Sequence, residues 1–106
     1  MDAVVSGAKA SKGIVRGKAV VLNSPKDVSR LSEGDILVTT MTNPDFVPVM
    51  RKAAAIVTVI GGRLCHAAIV ARELGIPAVV KVDSALSLDG KDITVNGDEG
   101  TVIVHG

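Results

Sequence analysis

Apolar residues follow two different periods along the chain, and each period predicts a different kind of element. Residues 13–22 alternate and are rich in Val, which is typical of a β-strand. Residues 35–39 and 55–60 are mostly apolar and predict a buried strand and a second apolar strand. Residues 78–81 predict a further strand, parallel to 55–60 because a right-handed helical crossover separates the two.

Turn signals predict the elements near the end of the chain and the polar region after the first strand. Residues 93–96 and Thr101–Val104 are expected to pair, with the segment from Asn96 to Gly100 closing the hairpin. The polar region after residue 22 predicts only a short helix near residues 26–31.

A second helix is predicted from its start signal. Asn43 is expected to cap it, Pro44 to occupy its first position, and the helix to run to about Ala53. The small residues between Gly7 and Gly13 predict a loop that leads into the sheet. Together these elements indicate an α/β fold with mixed strands and few helices.

The segment after Gly61 and Gly62 predicts the clearest helix of the chain. Its apolar positions recur at helical spacing and form one buried face: Ala67, Val70, Ala71 and Leu74. Gly75, followed by an apolar residue and a proline, is a strong stop signal. No Ser, Thr, Asp or Asn stands just before Cys65, which leaves Gly62 as a weak cap. The first-turn N–H groups are then free for water or for a ligand.

His66 stands where the glycine-rich loop becomes this helix. Free N–H groups and the positive end of the helix dipole would stabilise an anion carried on its imidazole. With a reference pKa of about 6.5, the neutral nucleophilic imidazole is available to accept a phosphoryl group. The alternative interpretation is that His66 is an ordinary residue at a helix start, because a Gly-Gly pair alone also occurs in simple turns.

Composition narrows the class of protein. The 106 residues suit one domain, and the core must be built from Val, Ile, Leu and Ala, because aromatic residues are only 1% of the chain. A net charge of +1 gives no electrostatic reason to expect nucleic acid or an anionic membrane as a partner. The sequence shows no signal peptide and no apolar segment of about 20 residues. The single cysteine excludes an internal disulfide, so a reducing, cytoplasmic setting is expected.

Cys65 next to His66 raises two further possibilities for the site. A structural zinc ion needs about four ligands, and the only other histidine, His105, lies at the far end of the sequence. A cysteine protease dyad is disfavoured because adjacent helix positions point apart. We therefore interpret Cys65 as a small residue that fits near the phosphorylated ring.

Residues 61–80 resemble the phosphohistidine signature of the phosphoenolpyruvate-utilising enzymes. The shared pattern is Gly-Gly, three residues, His-Ala-Ala, an apolar pair, Ala-Arg-Glu and Gly-Ile-Pro-Ala-Val, and this sequence contains all of it. The Arg-x-Cys-His form, with residues 41–46 and 48–50 upstream, resembles the phosphoenolpyruvate synthase branch most. The resemblance extends from about Gly7 to Val104.

The resemblance implies a swivelling β/β/α phosphohistidine domain in which His66 is the catalytic carrier. The residues expected to support the phosphoryl group are Gly61, Gly62, Arg63, Cys65 and Arg72. Arg63 offers a guanidinium beside the loop, with a solvated loop charge as the alternative. Arg72 follows His66 by more than one turn, so the helix alone cannot place it beside the ring, and it is expected to pair with a carboxylate or with the loop.

The resemblance also implies partners. Residues 1–106 form a single carrier domain, expected to be excised from a larger multidomain enzyme with an ATP-grasp nucleotide-binding domain and a phosphoenolpyruvate/pyruvate-binding barrel. Such a barrel alone takes about 250 residues. ATP and magnesium are expected on those partner domains, with no cofactor bound by this domain. The alternatives are the carrier domain of a related phosphotransferase with another acceptor, such as a dikinase or an antibiotic phosphotransferase, and a non-catalytic interaction module of the same fold.

The chain departs from the synthase branch two residues before the histidine. Thr is common at that position in the branch, where bifunctional regulators phosphorylate it. Leu64 has no hydroxyl, so regulation of that kind is not expected here. The carrier chemistry does not depend on this residue.

Overall fold

The computed structural model describes residues 2–106. Its eight strands form one mixed sheet in the order β1-β8-β7-β3-β4-β5-β6-β2. The strands are β1 (Ala3–Ser6), β2 (Ala8–Ser11), β3 (Ile14–Val21), β4 (Ile36–Thr39), β5 (Ala55–Thr58), β6 (Ala78–Val80), β7 (Asp92–Asn96) and β8 (Thr101–Val104). Two α-helices, α1 (Val47–Lys52) and α2 (His66–Leu74), and three short 3-10 helices connect them.

The centre of the sheet is parallel and its flanks are antiparallel. Strands β3, β4, β5 and β6 run parallel, and Ile56 pairs with Ala78 across the β5–β6 crossover. β7 and β8 form the predicted hairpin, which adds antiparallel to β3. The parallel pairing of 55–60 with 78–81 and the hairpin at the end of the chain are therefore confirmed.

Strands β4, β5 and β6 are buried on both faces, which explains their nearly continuous apolar sequences. Along β5, Ile56 points into a core shared with the helices, where it joins Met50 and Ala68. Its neighbour Val57 points into a second core, where it meets Val95 and other side chains of β7 and β8. The single sheet thus folds over itself, so that β7 and β8 form one layer against the parallel strands and the helices form a third layer on the other side. The expected β/β/α architecture is confirmed.

The prediction of a loop before the first long strand is wrong. Residues 3–11 form two strands, β1 against β8 at one edge of the sheet and β2 against β6 at the other. Gly7 carries the chain from one edge to the other, and its N–H donates to Gly100 O over 2.8 Å. A side chain at Gly7 would collide with the carbonyl oxygen of Val80, so the crossing requires glycine. Each of these strands has only four residues and pairs with a distant segment of the chain. The alternation of apolar and polar residues over so short a segment was too weak to predict a strand.

The helix predicted from Asn43 to about Ala53 is interrupted near its start. Pro44–Phe46 is a 3-10 turn, and α1 follows at Val47–Lys52 with Pro48 as its second residue. Pro48 has no N–H to donate to a preceding carbonyl, so it would break a helix in its interior. Because α1 starts at Val47, Pro48 lies in the first turn, where a backbone N–H has no intrahelical acceptor. The Asn43 cap is confirmed, because its side chain accepts a hydrogen bond from Asp45 N at 3.0 Å.

Two other boundaries differ slightly from the sequence-based expectation. The short helix expected near 26–31 is a 3-10 helix, Pro25–Arg30, capped by Ser24. The strand expected over 55–60 ends at Thr58, whose hydroxyl donates to Ile60 O and bends the chain out of the sheet. Within residues 2–106, no helix is both long and apolar enough to cross a membrane.

Candidate functional site

The site is built where parallel strands end and a helix begins. β5 leads into the loop of residues 59–65, and α2 starts directly at His66. The first hydrogen bond of the helix runs from Ile69 N to Cys65 O at 3.1 Å. The N–H groups of His66, Ala67 and Ala68 precede that bond and have no intrahelical acceptor. This end of α2 therefore presents backbone donors beside the imidazole.

The start of α2 differs from the expected capping by Gly62. Cys65 occupies the cap position with an extended backbone and makes no side-chain capping hydrogen bond. Gly62 instead accepts from Cys65 N within the loop, at 3.1 Å. The other end of α2 follows the sequence signal: Gly75 is left-handed with φ 72°, and its N–H caps the last carbonyls.

Only one of the two loop glycines is required by shape. Gly61 has φ +139°, and a Cβ placed there would lie 2.8 Å from Cys65 Sγ. Gly62 has no neighbouring atom within 4 Å of such a Cβ. Gly61 therefore makes room for the Cys65 thiol, whereas Gly62 is open to solvent on that side.

Thr42 fixes the ring of His66. Its Oγ1 lies 2.8 Å from His66 Nδ1, and Thr42 itself is buried, with 4% exposure. Thr42 lies just beyond β4, the strand next to β5, so neighbouring strand ends bring the two residues together. Nε2 of His66 makes no hydrogen bond within residues 2–106. When Nδ1–H donates to Thr42, the lone pair of the ring is on Nε2.

Sequence reasoning missed this function of Thr42. The residue belongs to the segment that resembles the synthase branch, but nothing local marks it as a partner of His66. Only the parallel register of β4 and β5, in which Thr39 lies opposite Thr58, reveals the pairing.

A small cavity adjoins the ring. It has a volume of about 160 Å³, and its lining residues are Met41, Thr42, Ile60, Gly61, Cys65, His66 and Ala67. None of these side chains is Lys, Arg, Asp or Glu. Cys65 thus lies on the cavity, as expected of a small residue near the ring. The cavity is apolar apart from Thr42, the thiol and the imidazole.

The two arginines predicted to support a phosphoryl group lie elsewhere. Arg72 donates through Nε to Ala10 O over 2.8 Å and through a terminal nitrogen to Arg63 O. It therefore pairs with the loop, not with a carboxylate, and ties the loop to β2. The Arg63 side chain is exposed and lines a separate groove, which Leu64 and Lys9 share. The structure brings Gly61, Cys65 and His66 together at the cavity but not Arg63 or Arg72.

The second histidine has a different environment. His105 Nδ1 lies 3.0 Å from Asp2 Oδ2, and its Nε2 lies 2.7 Å from Thr94 Oγ1, so both ring nitrogens have partners. The Gly106 N–H and the His105 ring lower the pKa of Asp2 by hydrogen bonding to its carboxylate. Within residues 2–106, no group of three or more His, Cys, Asp or Glu side chains could hold a metal ion.

Comparison with curated proteins shows close relatives over nearly the whole chain. The chain is 56% identical to the probable phosphoenolpyruvate synthase of Archaeoglobus fulgidus over 101 residues, covering 93% of this chain and 13% of that protein. It is 52% identical to the phosphoenolpyruvate synthase of Pyrococcus furiosus over 103 residues, covering 95% of this chain and 13% of that protein. The chain thus spans only a small part of the length of these relatives.

Solved structures agree with this relationship. A solution structure of Enzyme I superposes with a TM-score of 0.63 and 34% sequence identity, covering 74% of this chain and 34% of that one. The family model for the mobile domain of PEP-utilising enzymes matches residues 31–100, which include both Thr42 and His66. This chain belongs to the family of PEP-utilising enzyme mobile domains.

Proposed function

We propose that the domain carries a phosphoryl group on His66 between an ATP site and a pyruvate/phosphoenolpyruvate site of a phosphoenolpyruvate synthase-like enzyme. The observation that carries the proposal is the contact of Thr42 Oγ1 with His66 Nδ1, which leaves Nε2 without a protein partner. The names and the greater length of the relatives support a parent enzyme with further domains.

The geometry suits attack by Nε2 on phosphorus. The lone pair of Nε2 forms a P–N bond while the P–O bond to the nucleotide breaks, and the leaving oxygen keeps the electron pair. The ring becomes cationic, and its charge is shared with Nδ1–H, which donates to Thr42. In the second transfer an acceptor oxygen forms a P–O bond while the P–N bond breaks, and the electron pair of that bond returns to Nε2 and restores the neutral ring. Nδ1 keeps its proton throughout, so the ring needs no proton transfer.

The start of α2 supplies part of the charge balance. The N–H groups of His66, Ala67 and Ala68 and the positive end of the helix dipole favour an anion near the ring. The cavity lining contains no cationic side chain except His66 itself. Cationic groups of the partner sites would therefore have to neutralise the remaining charge of the phosphoryl group.

The partners in this proposal are an ATP-grasp domain and a phosphoenolpyruvate/pyruvate-binding barrel of the parent protein. ATP and magnesium would be held there, not by this domain. We place the enzyme in the cytoplasm, where its nucleotide and pyruvate substrates occur and where the single thiol, Cys65, stays reduced.

Phosphate labelling of the full-length protein tests the proposal. Incubation with labelled ATP and magnesium should add one phosphate to this domain that is labile in acid and stable in base. His66→Ala should abolish the label without unfolding the domain, whereas the control His105→Ala should retain it. Label that persists in His66→Ala, or that maps to His105, would contradict the carrier role.

A further inference from the structure

A large groove lies apart from the cavity beside His66, between β2, the loop before α2, the end of α2 and the tip of the β7–β8 hairpin. It has a volume of about 1290 Å³ and shares no lining residue with that cavity. Its charged lining residues are Lys9, Lys12, Arg63, Arg72 and Asp98. We call it the cationic groove, because four cations and one carboxylate leave a net charge of +3.

A β-bulge in β2 places two lysines on this groove. The pairing of β2 with β6 shifts its register between Lys9 and Ser11, so Ala10 is an extra residue. In a regular extended segment, residues three apart point to opposite faces. The extra residue corrects this alternation, and Lys9 and Lys12 are both exposed whereas Ala10 and Ser11 between them are buried.

Three of the four cations have no counter-charge of their own. The side chains of Lys9, Lys12 and Arg63 form no ion pair and no hydrogen bond within residues 2–106. Arg72 binds backbone carbonyls instead of a carboxylate. The carboxylate of Asp98 accepts a backbone N–H at 3.0 Å, so it is already partnered. The groove therefore attracts an anion from outside the domain.

We propose that the cationic groove binds the diphosphate group of a small molecule. A single phosphate carries a charge of about −1.5 to −2 at pH 7, which does not balance a net charge of +3. The cations also come from two sides, lysines from β2 and Arg63 from the loop, so each of two adjacent phosphates meets a cation. The Arg63 guanidinium can bind two phosphate oxygens at once, and the lysines act as point charges.

The groove admits two sources of a diphosphate. Its volume exceeds the about 300–1,000 Å³ of ordinary small-molecule pockets, so it has room for a nucleoside diphosphate as well as for free pyrophosphate. Either ligand would join the loop to the edge strand a second time, because Arg63 belongs to the loop and Lys9 to β2. Binding should therefore stabilise the folded domain.

Calorimetric titration of the 106-residue chain tests the site, with magnesium chelated so that it does not neutralise the ligand. At low ionic strength, pyrophosphate or ADP should bind with a Kd below about 1 mM and raise the melting temperature. Inorganic phosphate should bind at least about tenfold more weakly. Tighter binding of ADP than of pyrophosphate would identify a nucleoside diphosphate as the ligand, whereas equal or weaker binding would identify free pyrophosphate.

Single substitutions locate the binding site. Lys9→Gln and Arg63→Gln should each weaken binding about fivefold, because each removes one charge from an exposed groove. The matched control is Lys18→Gln, which alters an exposed strand lysine outside the groove and should bind like wild type. His66→Ala should also bind like wild type, because His66 does not line the groove.

Four results would overturn the proposal. Neither diphosphate might bind at about 1 mM, or phosphate might bind as tightly as both. Lys18→Gln might weaken binding as much as Lys9→Gln, or His66→Ala might abolish it, which would place the anion at the start of α2. Binding of a polyglutamate peptide without binding of either diphosphate would assign the groove to an acidic protein segment instead. Phosphohistidine label retained in His66→Ala is a separate result that concerns only the carrier role.

Discussion

The contact between Thr42 and His66 occupies Nδ1 of the ring and leaves Nε2 without a hydrogen-bond partner in residues 2–106. Thr42 is buried and its hydroxyl lies 2.8 Å from Nδ1, so the ring cannot turn without breaking this hydrogen bond. This hydrogen bond orients the imidazole, much as a second hydrogen bond orients histidine in catalytic sites, and in the tautomer whose Nδ1–H donates to Thr42 the lone pair lies on Nε2. At this scale the site depends on one pair of side chains.

Thr42→Val tests that pair. The substitution keeps the shape of the side chain but removes the hydroxyl, so the ring loses its partner at Nδ1. We expect phosphohistidine formation to slow by about tenfold or more, the equivalent of one lost hydrogen bond. Thr42→Ser retains the hydroxyl and should stay close to wild type. The rate of phosphohistidine formation is measured for both variants in the full-length protein. Equal rates in Thr42→Val and Thr42→Ser would argue against a role of the Thr42 hydroxyl in orienting His66.

Lys81 is a second residue with an unusual backbone. It is the only non-glycine residue of the described chain with positive φ, at 60°, and it directly follows β6. An L-residue in this region carries a steric cost of about 1–2 kcal/mol that glycine avoids. The reason lies in β6, whose end must turn sharply before Val82 enters the second core.

Lys81→Gly should therefore stabilise the domain by up to about 1 kcal/mol, less than the full steric cost because glycine gains entropy when unfolded. Lys18→Gly is the control, since Lys18 lies inside β3 with no strain to relieve. It should destabilise the domain by roughly 0.5–1 kcal/mol. Urea unfolding measures the free energy of unfolding of both variants. A lower free energy of unfolding in Lys81→Gly would show that the contacts of the Lys81 side chain stabilise the domain by more than the strained backbone destabilises it.

At the scale of elements, the loop between β5 and α2 is shaped by packing on both of its sides. The absence of a side chain at Gly61 leaves room for the thiol of Cys65. On the other side, Arg72 donates hydrogen bonds to the carbonyl of Arg63 in the loop and to the carbonyl of Ala10 in β2. The loop is therefore held from the helix and from an edge strand at once. This arrangement brings the start of α2 to the same end of the sheet as Thr42.

Gly61→Ala and Gly62→Ala form a matched pair that tests the loop. Gly61→Ala adds a methyl group against Cys65 Sγ at a positive φ, so it should destabilise the domain by roughly 1–3 kcal/mol and slow phosphorylation. Gly62→Ala meets open space and should change stability by less than about 0.5 kcal/mol. Thermal unfolding compares them. Equal effects of the two substitutions would mean that the contact with Cys65 does not shape the loop.

The sequence predicted those elements whose signals are local. The stop at Gly75, the cap at Asn43 and the hairpin of β7 and β8 each depend on nearby residues, and all three are confirmed. The strands in residues 3–11 were missed because their partners, β8 and β6, lie far along the chain. Thr42 was missed as a partner of His66 for the same reason. His66 itself stood out because a glycine loop and a helix start mark it locally.

At the scale of the whole molecule, an ion pair joins two strands of the antiparallel layer at the surface. Arg16 of β3 donates to both carboxylate oxygens of Asp92 on β7, at 3.1 and 2.7 Å. The Arg16 guanidinium lowers the pKa of Asp92, mainly by this hydrogen bonding. A carboxylate with a lowered pKa stabilises the fold above the pKa of the unfolded chain, about 4, and loses that contribution as pH falls through the folded value.

Asp92→Asn should therefore reduce stability at pH 7, and the difference from wild type should shrink as pH falls below about 4. Because both partners are exposed, the effect should be small and reduced by salt. Asp45→Asn is the control, because its side chain forms no ion pair within residues 2–106. Urea midpoints at pH 7 and pH 3 measure the effect. A difference that persists unchanged at pH 3 would show that the charge of Asp92 is not its source.

The most direct test of the account is to identify the atom that carries phosphate in the full-length protein. The protein should be labelled with ¹⁵N at histidine, phosphorylated with ATP and magnesium, and studied by phosphorus–nitrogen coupling in NMR. The carrier role of His66 predicts a single coupling, between phosphorus and Nε2 of His66, with the Nδ1 proton still hydrogen-bonded to Thr42. Phosphate on Nδ1 of His66, on His105 or on another residue would contradict it.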